Sequence, residues 1–184
     1  MSRIDLLLSR FQTHVSQPLR VDLPLSQRVW FVVYPPEDER KLIPRLPEFE
    51  LATKDASLDW VRIDLAGSFA EWLDSREDKE LIVSDSELVE SYADPDYVIF
   101  LKERIVGAVS DHNPQALNRT VFALTGLMEL YDFVHVSSIL DALDSQFPGV
   151  LLVFFPGERE HNTYRFLGAR DGWDYLAVPI LAES

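Results

Sequence analysis

Four short runs of β-forming apolar residues, three of them closed by proline or glycine, constrain this chain more than any other feature. Val29-Trp30-Phe31-Val32-Val33-Tyr34 ends on Pro35-Pro36, and Val150-Leu151-Leu152-Val153-Phe154-Phe155 ends on Pro156-Gly157. Thr120-Val121-Phe122-Ala123-Leu124 ends on Thr125-Gly126, and Trp60-Val61-Arg62-Ile63-Asp64-Leu65 is a more alternating run. Continuous apolarity implies strands covered on both faces, as in a parallel sheet. Helical patterns separate the runs. Ile4, Leu7, Leu8, Phe11 and Val15 repeat at i, i+3, i+4, i+7 and predict an amphipathic helix over about 2–15, capped by Ser2 with Asp5 three residues on.

Further helices are expected from Pro36 to Leu42, with Pro44 and Pro47 as interruptions, and from Ser68 to about Arg76. Ser84 and Glu87 read as a capping box, and Asp94-Pro95 as an N-cap and first turn opening a helix to about Val109. Val136, Ile139, Leu140 and Leu143 mark one more, with Ser137 and Ser138 at its start. Strands alternating with helices predict one α/β domain over 1–184, a three-layer Rossmann-like fold whose sheet is mainly parallel. The end of the chain differs: Tyr164–Leu167 and Tyr175–Val178 flank a glycine-containing turn and predict a hairpin-like extension at the sheet edge over about 156–184.

The fold class makes nucleotide binding the first chemistry to test. A phosphate loop needs closely spaced glycines whose amides approach the ligand at a helix start. The seven glycines form no G-x-G-x-x-G turn and none precedes lysine, so there is no Walker A loop. After the first strand stand Pro35, Pro36, Glu37 and Asp38, two residues without amide donors and two that repel phosphate. Thr125-Gly126 lies where open α/β sheets bind ligands, but reads first as strand-to-helix punctuation.

Other chemistries fare no better. The absence of cysteine excludes disulfides, zinc–thiolate sites and cysteine nucleophiles. His14, His112, His135 and His161 are scattered; His135, between two valines, reads as partly buried, and His161 beside Glu158 and Glu160 as part of a polar loop. No G-x-S-x-G elbow occurs. Glu77, Asp78, Glu80, Asp85, Glu87 and Glu90 read as solvated helix faces. No catalytic, cofactor or metal residue is therefore nominated. With 17 basic against 31 acidic side chains the formal net charge is −14, which argues against direct nucleic-acid binding. The apolar runs are far too short to span a membrane, and with no secretory signal a cytoplasmic address is expected.

The remaining unusual stretches carry a resemblance. The first strand with Pro35-Pro36-Glu37-Asp38-Glu39-Arg40, Phe49–Thr53, the turn Phe154-Phe155-Pro156-Gly157-Glu158, and the ending Asp171-Gly172-Trp173-Asp174-Tyr175-Leu176-Ala177-Val178-Pro179-Ile180 resemble the BrxB family of BREX bacteriophage-defence systems. Thr163 and Asp174 depart from that family's usual residues. The resemblance implies a small cytoplasmic bacterial protein encoded beside a phosphatase-like PglZ protein, an ATPase and a DNA methyltransferase, and it brings no catalytic residues with it. The expected role is then a non-catalytic adaptor that binds other BREX proteins, the PglZ-like component first. The alternative is a degenerate nucleotide-fold enzyme or small-ligand sensor using the strand ends near Tyr34, Thr125 and Pro156.

Within the tail, Glu158, Arg159, His161, Asn162, Tyr164, Arg165, Arg170, Asp171 and Trp173 form the expected interaction surface. Arginine, tyrosine and tryptophan combine contact area with directed hydrogen bonds. Arginines outnumber lysines 13 to 4, which favours bidentate carboxylate pairing over diffuse charge. Trp173 has a competing role, packing on the domain's own sheet.

Overall fold

The computed structural model describes residues 1–184 except 132, 144–146, 168–172 and 183–184, and only the backbone of residues 86, 90, 92–94, 173 and 174. The chain opens with α1 (Arg3–Val15), where the Ser2 hydroxyl accepts from the Asp5 amide and the Asp5 carboxylate accepts from the Ser2 amide. Then comes β1 (Val29–Tyr34), buried at every position as its unbroken apolarity predicts. A helical ramp follows: a 3-10 turn (Pro36–Asp38), α2 (Glu39–Leu42), a second 3-10 turn (Ile43–Arg45) and α3 (Leu46–Asp55). Pro44 and Pro47 do not end the helical path, contrary to expectation. Each occupies the first turn of its segment, where the missing N–H has no helical acceptor to lose.

β2 (Asp59–Asp64) leads into α4 (Ser68–Asp74), α5 (Lys79–Ser84) and α6 (Ser86–Tyr92). The expected capping box at Ser84 is not formed: Ser84 donates back to the Leu81 carbonyl, and the Asp85 carboxylate accepts from the Glu87 amide instead. Nor does Asp94-Pro95 start a fresh helix. A π-helical turn (Ala93–Tyr97) joins α6 to α7 (Val98–Ser110), and this wider turn accommodates a residue with no amide donor. β3 (Thr120–Thr125) and α8 (Val136–Ala142) bring the chain to β4 (Val150–Glu160). β5 (Thr163–Phe166), β6 (Trp173–Asp174) and β7 (Val178–Ile180) complete it.

The main sheet runs β2-β3-β4-β1-β7 with all four neighbouring pairs parallel. Strand alternation sends Trp30, Val32, Tyr34, Leu152 and Phe154 to a core shared with α1 and α3. Val29, Phe31, Val33, Val153 and Phe155 face the opposite core, built with α4, α7 and α8. Helices on both faces make the three-layer α/β sandwich that the alternating pattern predicts. The antiparallel part is hinged on a central strand: beyond Pro156, β4 pairs with β5, and β5 with β6. The strand returning to β5 is therefore Trp173–Asp174, while Val178 opens β7 at the free edge of β1.

Candidate functional site

The parallel strands all end on one side of the sheet, where open α/β folds place their ligands. Tyr34 closes β1 with its ring buried and its hydroxyl donating to the Glu39 carboxylate on the ramp. Burial pushes the Glu39 carboxyl above its usual range, and the nearby Asp64 charge adds to the shift. The Tyr34 hydroxyl is also driven well up, first by burial and then by Glu39. At the ends of β2 and β3, Arg62 donates from Nε to Thr125 Oγ1 at 3.1 Å and from Nη2 to Asp64 at 2.8 Å. Thr125 is fully buried and already bonded, so it presents no hydroxyl to a ligand. Gly126 has φ +79°, and a Cβ there would sit 2.4 Å from the Ala66 amide nitrogen. The Thr-Gly pair is thus a tight crossing of two chain segments. Next to it, Glu129 accepts from the amides of Gly67 and Phe69 at the start of α4.

Between β1 and β4 the rim opens into a cleft of about 210 Å³, lined by Arg3, Val33, Tyr34, Gly157, Arg159 and Leu181 among others. Gly157 has no room for a side chain, since a Cβ would lie 2.1 Å from the Arg165 carbonyl oxygen across the β4–β5 pair. Arg3 reaches the cleft from α1 while its Nη1 binds Asp38 at 2.7 Å; Lys41 binds the same carboxylate at 2.8 Å. These two cations hold the Asp38 carboxyl below its usual range, Lys41 having the larger effect.

The tail residues nominated from sequence divide between the two faces of this hairpin. Arg165 lies between Glu158 and Glu160, at 3.8 and 3.5 Å, on one face. Arg159 and Tyr164 are cross-strand partners on the other, with the Arg159 guanidinium 5.7 Å above the Tyr164 ring and its Nη2 donating to Asn162 at 3.1 Å. His161 and Asn162 form the exposed turn, His161 with φ 58°. Tyr164 needs correcting: it is fully buried, packs on Phe31 and Phe155, and donates to the Ala177 carbonyl at 3.2 Å, so it belongs to the core. Its apolar neighbours across the sheet, not its own sequence context, draw it inward. Arg170 and Asp171 lie outside the described residues, as does the side chain of Trp173.

The histidines do not gather. His135 is exposed rather than partly buried, because it precedes α8 and points away from the buried Val134 and Val136. His14 packs edge-on against Trp30 at 4.3 Å, and burial lowers its pKa. Among the described residues no three His, Asp or Glu side chains come together as a metal site, and no helix is long and apolar enough to cross a membrane. Sequence reasoning did not single out Arg3, Arg62 or Glu129. Their roles depend on partners 35–63 positions away, to which local pattern gives no signal.

A family model described as BREX protein BrxB matches residues 63–180, a span from the end of β2 to β7. No curated protein and no solved structure matches the chain.

Proposed function

The chain belongs to the BrxB family and is a component of a BREX phage-defence system, and from that premise we propose that it acts as a non-enzymatic adaptor in the cytoplasm, binding other BREX proteins and first among them the PglZ-like component. The observation that carries this reading is the surface of α5 and its flanks. Residues 77–96 hold eight acidic side chains and one lysine. Arg76 pairs with two of the acids, Asp78 and Asp96, and Lys79 is taken by Asp74. Among the described residues Glu77, Glu80, Asp85 and Glu87 pair with no cation. The same surface exposes Leu81 (60%) and Val83 (65%), and a groove of about 440 Å³ runs past Leu73, Glu80 and Val83.

Exposed aliphatic side chains ringed by uncompensated carboxylates suit a basic protein partner. The apolar contact supplies affinity and the charge supplies steering. The hairpin rim of Glu158, Arg159, His161, Asn162 and Arg165 offers a second contact, set apart by its mixed charge. Direct DNA contact is not part of this role, since clustered cations are what such contact requires.

Co-purification with each neighbouring BREX protein tests the proposal. The PglZ-like component is expected to co-elute at low salt and to dissociate as salt rises, with Glu80→Lys and Glu87→Lys weakening the association. Elution of the chain alone at every salt concentration overturns it. The ligand-sensor alternative retains one supporting observation, the arginine-lined cleft between β1 and β4.

A further inference from the structure

We propose that a cavity where β1, β4 and β7 begin, at the end of the sheet away from Tyr34 and Gly157, binds a small uncharged heteroaromatic ring bearing a carbonyl, the chemistry of a lactam such as a pyrimidine base. The cavity holds about 260 Å³, and Pro18, Leu23, Trp30, Val150 and Val178 supply its apolar walls. That is just below the roughly 300–1,000 Å³ of pockets for drug-sized ligands, which limits an occupant to one or two rings. A mostly apolar enclosure with a few convergent polar groups is the usual form of a small-molecule site.

Trp30 supplies the polar group that calls for a ligand. Only 6% of the residue is exposed, yet its indole N–H stays accessible and, among the described residues, has no acceptor. A largely buried donor left unpaired carries an energetic cost that a bound carbonyl would remove. His14 stands edge-on to Trp30 at a ring distance of 4.3 Å and lines the same cavity. Burial lowers its pKa, so at pH 7 the ring is neutral and presents one donor and one acceptor. A lactam carries the same pair, an N–H beside a carbonyl. Gln17 and Gln27, exposed at the mouth, add side-chain amides of the same dual character.

Charge decides against an ion as the occupant. Among the described residues no Asp or Glu lines the cavity, so nothing there answers a cation. The arginines at its edge are engaged: Arg20 forks onto Asp22, and Arg28 donates from Nε and Nη1 to the Leu23 and Gly149 carbonyls. The site is independent of the proposed partner surface on α5.

The test is NMR titration of the whole chain with 2-pyridone, uracil and toluene in turn, read at the Trp30 indole N–H signal. Saturable shifts are expected with at least one of the two lactams. Toluene, which has the ring without the carbonyl, should bind roughly tenfold more weakly or less. His14→Phe keeps an aromatic wall but removes the donor and acceptor, and should weaken lactam binding roughly tenfold. Leu23→Trp fills the cavity from its edge and should abolish binding, which keeps the comparison available if His14→Phe does not fold. Glu80→Lys, on the partner surface, should leave it unchanged, so the two sites stand or fall separately. Absence of saturable shifts with both lactams overturns the proposal, as does toluene binding as tightly as they do, or undiminished binding in His14→Phe or Leu23→Trp.

Discussion

The two helical regions on either side of the sheet handle charge in opposite ways. Along α1 and the ramp, acids and bases are interlocked: Asp38 joins Arg3 to Lys41, and Arg45 joins Asp5, at 2.6 Å, to Glu48, at 2.7 Å. Around α5 the acids outrun the cations, and aliphatic side chains lie uncovered beside them. The first arrangement consolidates the fold. The second contributes little to folding and keeps its charge for something outside the chain. Residues 77–96, with eight acids and one lysine, thus hold half of the net charge of −14.

Breaking the first region should cost most. Phe49 is buried on α3 against Phe11 and Phe154, at ring distances of 5.3 and 5.2 Å. Phe49→Ala is expected to destabilise the protein by about 3–5 kcal/mol in denaturant titration. Asp38→Ala comes next, at roughly 1.5–3 kcal/mol, because it removes charge-assisted bonds to both Arg3 and Lys41. A loss as small as that of an exposed ion pair would show that the network is not consolidating.

Acid titration sharpens the same contrast. The Asp5 carboxyl is lowered to about 2, chiefly by the Ser2 amide and then by Arg45, and Asp38 is lowered by Lys41 and Arg3. Groups with depressed folded values stabilise fully above the ordinary carboxylate range, near about 4, and lose that contribution as pH falls through the folded value. Amide protection factors in α1, taken against intrinsic exchange at each pH, should therefore fall between about pH 4 and 2, and Asp5→Ala should flatten that dependence.

Glu39 has the opposite sign. Its folded value is raised, so its stabilising contribution is present at low pH and lost as pH rises through the folded value. Glu39→Gln keeps an acceptor for the Tyr34 hydroxyl and removes the charge. Melting at pH 7 should show stability unchanged or raised by up to about 1 kcal/mol; a clear loss would mean that the ionised carboxylate is needed. The smallest effect belongs to the second region. Leu81→Ser and Val83→Ser should change stability by less than about 0.5 kcal/mol, yet they should weaken co-purification with the basic partner.

Much of the fold was legible in local pattern because each element states its own period. Trp30, Val32 and Tyr34 alternate with Phe31 and Val33 across a strand covered on both sides, and Ile4, Leu7 and Phe11 mark one helical face. Proline misled where position within a turn mattered more than residue type, at Pro44, Pro47 and Pro95. The candidate site was half legible. Arg159 was nominated from the tail, but Arg3, which lines the same cleft, stands at the other end of the chain.

By itself the sequence determined that the chain forms a three-layer α/β sheet, since apolar periodicity and breakers act over a few residues. The tertiary structure alone decided the strand order, the burial of Tyr164 and the pairing of Asp38 with Arg3. Each of these depends on which distant segments are brought side by side. Contact across the sheet then settles whether a given charge is neutralised, buried or left open to a ligand.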